Sequence, residues 1–224
     1  MDAPTDPYLE ERLRRYDRWV AEGRIPVSSH VIPVRESLST QQWVLPTEQV
    51  LGFLRNARSF ALADCACRTH YQRCEHPVET CFLINDAADA ELAAGNARRV
   101  SLPEAEAVLR LADECGLVHL TVYNPRQYVY AICSCCACCC HDLHFLSIYG
   151  RTDMVARSEY VALTDADACV HCGDCVPRCV FGARTWENGE VVYDPEVCYG
   201  CGLCVSACSL EATTMVRRAR QPAA

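Results

Sequence analysis

Residues 169–208 read CVHCGDCVPRCVFGARTWENGEVVYDPEVCYGCGLCVSAC. Two runs stand out, Cys169-x2-Cys172-x2-Cys175-x3-Cys179 and Cys198-x2-Cys201-x2-Cys204-x3-Cys208, with every member of the second 29 residues after its counterpart. The same offset maps Asp165 on Asp194, Gly173 on Gly202, Val176 on Val205 and Ala183 on Ala212. A duplicated unit implies two halves related by a pseudo-twofold axis. Three cysteines at x2 spacing can wrap three corners of an iron–sulfur cube in one tight loop, while the fourth thiolate must come from elsewhere. The spacing therefore predicts two [4Fe–4S] clusters and electron transfer. CxxC pairs also suit tetrahedral zinc, but four cysteines at 2-2-3 spacing, duplicated, are poor zinc geometry.

Residues 160–216 resemble the bacterial two-cluster ferredoxin family on these motifs. In that family the fourth cysteine of each run serves the other cluster. The resemblance implies one cluster held by Cys169, Cys172, Cys175 and Cys208, and another by Cys198, Cys201, Cys204 and Cys179. The family places proline after each fourth cysteine, whereas Val180 and Ser209 stand there in this chain, which loosens the turn without removing a ligand.

Working outward, 224 residues with 50% hydrophobic content are enough for one large or two small domains with a real core. Nineteen cysteines in a short secreted chain would suggest a disulfide scaffold, yet the opening MDAPTDPYLEERLRRYDRWV has no apolar signal core. A reducing cytoplasm is the expected setting. No apolar stretch reaches membrane-span length. The 21 basic residues are all arginine, and the net charge is −8. Between Glu159 and Glu211, nine acidic residues face only Arg178 and Arg184, which would steer a basic redox partner rather than nucleic acid. A basic tail, 217–224, follows.

The organisation reads as α+β: a small cysteine-rich α+β domain followed by a ferredoxin-like two-cluster domain. Leu9, Leu13, Tyr16 and Val20 at helical spacing predict an amphipathic helix, and prolines 26, 33 and 46 an extended arm, together residues 1–46. Over 47–150, a helix capped by Thr47 precedes the strand SFALAD, which delivers Cys65. The strand CFLIN then leads to an alanine-rich helix ending near Gly95. Ser101-Leu-Pro-Glu104 is a capping box, and its helix stops at Gly116. GLVHLTVY and QYVYAIC, joined by Asn-Pro-Arg, predict an antiparallel hairpin. Residues 149–158 read as a linker to the two-cluster domain, 159–216.

Ten of the remaining cysteines form two groups: Cys65-x-Cys67-Arg68 with Cys74 and Cys81, and Cys133-Ser-Cys135-Cys136-Ala-Cys138-Cys139-Cys140. Each group begins where a predicted strand ends, so both can converge on one site. If the second run is helical, Cys135, Cys138 and Cys139 share one face and Cys136 and Cys140 another. Cys65, Cys67, Cys74 and Cys81 are the preferred ligands of an additional [4Fe–4S] cluster, with Cys133 to Cys140 as alternative or further donors. Structural zinc and a metal-free cysteine core are the competing readings. His70, His76, His141, His144 and His171 are expected as solvated loop residues, His119 and Cys115 as packing residues. Arg68 is expected to make a plain salt bridge.

The order CxCR, two spaced cysteines, a capped helix, ICxCCxCCC and a two-cluster module resembles a family of bacterial and archaeal 4Fe-4S binding proteins. That resemblance covers most of the chain after about residue 25 and implies no particular substrate. The sequence thus predicts an iron–sulfur electron carrier serving a redox partner. The alternative is a reductase whose N-terminal cysteine site is fed by the two-cluster domain. Phosphate-loop, flavin and nucleophile motifs are missing.

Overall fold

The computed structural model describes residues 6–32 and 46–218. Most of the expected arm, residues 33–45, lies outside the described residues, as do 1–5 and the tail beyond 218. The chain opens with α1 (Pro7–Ala21), started by Asp6, whose carboxylate accepts from the N–H groups of Tyr8 and Leu9. There follow β1 (Ser29–Ile32), α2 (Pro46–Asn56), β2 (Phe60–Asp64), α3 (Ala66–Tyr71), β3 (Glu79–Ile84) and α4 (Asn85–Ala94). Thr47 thus lies inside the first turn of α2 and not ahead of it. Gly95 closes α4 in the left-handed conformation, at φ 75°. After β4 (Ala97–Arg98), Ser101 caps α5 (Leu102–Glu114) by accepting from the Glu104 N–H. The hairpin β5 (Val118–Asn124) and β6 (Tyr128–Cys135) precedes α6 (His141–Ser147) and β7 (Val155–Ala156).

All seven of these strands form one sheet in the order β4-β2-β3-β6-β5-β1-β7, antiparallel except for the β1–β7 pair. The parallel pair corrects the expected linker: Val155 and Ala156 belong to the sheet, because Ser29 and His30 offer them an unpaired edge. Alternation along the strands sorts side chains between the two faces. On one face Leu62, Phe82, Ile84 and Ile132 pack beneath Val50, Leu51 and Leu54 of α2 and Ala105 and Leu109 of α5. On the other face Cys81 lies opposite Cys133, and Cys135 opposite Val118. That second face is where the cysteines gather.

The remaining elements are β8 (Tyr160–Thr164), β9 (Arg184–Glu187), β10 (Glu190–Tyr193), α7 (Leu203–Ser206) and β11 (Thr213–Arg217). They make two antiparallel ribbons, β8 with β11 and β9 with β10. The 29-residue repeat is visible in their backbone. Asp165 N–H donates to Ala212 O and Asp194 N–H to Ala183 O, both at 2.8 Å, so each half closes on the other. The matched pairs His171 and Gly200, Gly173 and Gly202, and Gly182 and Glu211 all have positive φ.

The two parts share a core. Val118, Leu120, Cys135, Cys140, Leu143 and Val155 from the first pack with Tyr199, Cys201 and Leu203 from the second. Arg178 reinforces the join by donating to the carbonyls of Asp113 and Glu114 at the end of α5. Ser206 Oγ donates to Asp113 Oδ1 at 2.8 Å. No helix among the described residues is long and apolar enough to cross a membrane.

Candidate metal centres

All nineteen cysteines carry free thiols. The eight of the repeat line two cavities. Cys179, Cys198, Cys201 and Cys204 surround one of about 330 Å³, together with Phe181, Tyr193 and Tyr199. Cys169, Cys172, Cys175 and Cys208 surround the other, of about 380 Å³, and Cys172 reaches the surface. Each cavity therefore takes three thiols from one run and the fourth from the other. The left-handed residues in each run turn the short loops back on themselves, so that successive cysteines face one volume. Soft thiol donors around a small, mostly apolar cavity fit an iron–sulfur group.

Arg184, a residue the sequence reading used only as charge, lines both cavities. It is 3% exposed. Its Nη1 donates to Cys175 Sγ at 3.8 Å, Nη2 donates to Thr164 Oγ1 at 2.8 Å, and the guanidinium also faces Cys204. Burial pushes the Cys204 thiol up to about 11, while the cation pulls against that. Gly200 N–H adds a bond to Cys198 Sγ at 3.3 Å.

The ten N-terminal cysteines divide into two sets. Six adjoin one another as a closed ring of thiols in the order Cys65, Cys67, Cys140, Cys135, Cys133, Cys81 and back to Cys65. Local structure explains the ring. Cys133 and Cys135 share a face of β6, Cys81 is the cross-strand neighbour of Cys133, and Cys65 and Cys140 precede the first turns of α3 and α6. Cys65, Cys133 and Cys140 are held low by the thiols donating to them, Cys133 at about 6. Cys67, Cys81 and Cys135 are pushed up as the donors, and further by burial.

The other four, Cys74, Cys136, Cys138 and Cys139, have sulfurs that all lie within 4.8 Å of one another. Of the preferred ligands, Cys65, Cys67 and Cys81 therefore come together, and Cys74 does not join them. The reason is the αL residue Gln72, which ends α3 and turns the chain away before Cys74. The run from Cys133 is also not a helix. It continues β6 to Cys135, then makes a turn closed by Cys140 N–H to Cys136 O at 3.0 Å, and α6 starts only at His141.

Arg68 lies between the two sets and is 2% exposed. The expected salt bridge is not made: among the described residues its hydrogen-bond acceptors are Ser134 O, Thr80 Oγ1 and Cys136 Sγ, with no carboxylate. The cysteine sulfurs stand opposite the guanidinium instead, Cys65 foremost. Two histidines also depart from expectation. His141 is buried, with Nδ1 2.9 Å from Cys67 Sγ and Nε2 3.1 Å from Asp142. His144 is buried against Ala137 O. His119 and the partly buried Cys115 pack as expected.

Residues 162–209 match the family described as the 4Fe-4S dicluster domain. The matched span contains all eight cysteines of the repeat. No curated protein matches the chain. The chain thus has an α+β fold with a 4Fe-4S dicluster domain at residues 162–209 and a separate group of four cysteines placed so that they could hold a metal ion.

Proposed function

We propose that the chain relays low-potential electrons through two [4Fe–4S] clusters in a ferredoxin-like module, residues 159–216, and a further [4Fe–4S] cluster in the cysteine-rich domain, to a redox partner in the cytoplasm. Each cluster supplies a one-electron couple when bound. Cys169, Cys172, Cys175 and Cys208 are the ligands at the outer site, and Cys179, Cys198, Cys201 and Cys204 those at the inner one. Four of the six ring thiols serve the third. The rest of the chain supplies spacing, charge and insulation. Arg184 stands between the outer and inner cavities, donating to Cys175 on one side and facing Cys204 on the other. The observation that carries the relay is the shared core, in which Cys201 of the inner set is buried with Cys135 and Cys140 of the ring. Close apolar packing excludes water there and fixes the distance between the two sites.

At the outer end Cys172 is exposed, flanked by the exposed Val170 and Leu210 and by Asp167, Asp174 and Glu211. An apolar centre with an acidic rim suits a partner with a basic rim. Six ring thiols exceed the four that one cube takes, which favours a second reading, a reductase acting at the ring. Against it, the open cleft of about 740 Å³ beside α6 is lined by Leu143, Leu146, Arg157, Phe181 and Tyr199 and by no cysteine.

Iron and sulfide analysis of anaerobically purified protein, with paramagnetic resonance of the reduced state, tests the relay. About twelve irons per chain are expected, four per cube. Replacing Cys65 and Cys67 with serine should remove one signal and keep the dicluster signals. A content of about eight irons in the unaltered chain excludes the third cluster. Turnover of a small-molecule acceptor that disappears with Cys65→Ser would favour the reductase.

A further inference from the structure

We infer that Cys74, Cys136, Cys138 and Cys139 bind a single tetrahedral zinc ion, a structural site separate from every iron–sulfur cluster. Distance is the first argument. A Zn–S bond of about 2.3 Å puts the sulfurs of a regular tetrahedron about 3.8 Å apart. Cys74 Sγ lies 3.8 Å from Cys136 Sγ and 3.9 Å from Cys139 Sγ, and all four sulfurs fit within 4.8 Å. A cube needs its thiolates on four different irons with sulfides between them, which forces the sulfurs much farther apart. Among the described residues no other group of three or more cysteine, histidine or acidic donors is so compact, and the cavities of the dicluster domain are not.

The surroundings are the second argument. Four thiolates on a dication leave a net charge of −2, which hydrogen bonds to sulfur must disperse. One such bond is in place, Arg68 Nη1 to Cys136 Sγ at 3.7 Å, and the backbone amides of His76 and Arg73 face Cys74 and Cys139. Three ligands come from one tight turn and the fourth from the loop after α3, the mark of a closed structural site with no position left for substrate. The ion would pin that turn, whose flanks are Cys135 and Cys140 of the ring. Zinc here is thus a structural clamp on the turn beside the ring.

The test uses the full chain, produced anaerobically with iron in excess so that zinc does not occupy cluster sites. Metal analysis should find about one zinc per chain at full iron loading, and zinc-edge X-ray absorption should give four sulfurs at about 2.3 Å. Cys74→Ser and Cys138→Ser should each lose the zinc and keep the iron content. If either variant does not fold, absorption at the zinc edge of the unaltered chain still decides. Zinc missing from iron-replete protein, zinc with oxygen or nitrogen ligands, or a variant that loses about four irons while keeping its zinc would overturn the assignment. Because zinc and iron are counted separately, loss of the third cluster and loss of this site are distinguishable.

Discussion

Arg184 shows how one side chain can act on two sites. A cation hydrogen-bonded to cluster-bearing sulfurs stabilises whichever state carries more negative charge, so it favours the reduced form. Arg184→Gln is therefore expected to lower the potentials of both dicluster couples by roughly 50 mV. That corresponds to about 1 kcal/mol of the 1.5–3 kcal/mol typical of a charged hydrogen bond. Redox titration followed by paramagnetic resonance would show it, and a shift in only one couple would contradict the bridging role. His119 illustrates a buried base. Burial alone holds its imidazole at about 4, and Nδ1 is 3.0 Å from Ser134 Oγ. In the unfolded chain it titrates near 6.5, so between about pH 6.5 and 4 the unfolded state binds more protons. Folding free energy is intact above pH 6.5 and falls by up to about 3 kcal/mol as pH drops through 4. His119→Gln should remove that slope, measured as the difference in thermal midpoint between variant and parent across this range. A parallel decline of both proteins would show that His119 is not the titrating group.

Among the elements, the repeat supplies its own control. His171 occupies the same left-handed conformation as Gly200, at φ 51° and 75°, so the backbone alone does not demand glycine at 200. Close approach does: a Cβ on Gly200 would collide with the carbonyl oxygen of Tyr160 and with Ser158 Oγ. Gly200→Ala should cost about 3 kcal/mol or more, whereas Gly182→Ala, with open space around it, should cost about 1 kcal/mol. Thermal unfolding of the two variants checks the ranking, and equal losses would refute it. The strands and helices around Cys65, Gly95, Ser101 and Gly116 were legible because caps, glycines and alternation punctuate them. The partition of ten thiols was not. It depends on where β6 stops, and the alternation Tyr128-Val-Tyr-Ala-Ile-Cys-Ser-Cys135 carries the strand two residues past Cys133. Reading that alternation through would have put Cys133 and Cys135 on one face and opened the turn at Cys136. Arg184 left no such signal, since only the folded halves bring it between two cavities.

At the scale of the molecule, one buried core replaces the expected linker between two domains. Leu203 and Tyr199 of the dicluster domain fill the same space as Val118, Leu120 and Val155 of the sheet. Arg178 adds a polar lock. It donates to two carbonyls at the end of α5, of which Asp113 O also accepts from the Gly116 N–H, and its Nη2 is 3.8 Å from Asp113 Oδ1. Apolar contact supplies most of the cohesion, and the arginine fixes the register of the two parts. Arg178→Ala should then lower stability by about 1–2 kcal/mol, since two hydrogen bonds are lost but Asp113 O keeps its bond from the Gly116 N–H. Iron content should stay unchanged, because no cysteine is touched. Hydrogen exchange should accelerate together at the last turn of α5 and around Cys201–Leu203. Two independently folded domains would behave differently, with exchange rising on one side of the join only. Coupled exchange is what a relay through Cys201, Cys135 and Cys140 requires, since only a single cooperative unit holds those sulfurs at a constant separation.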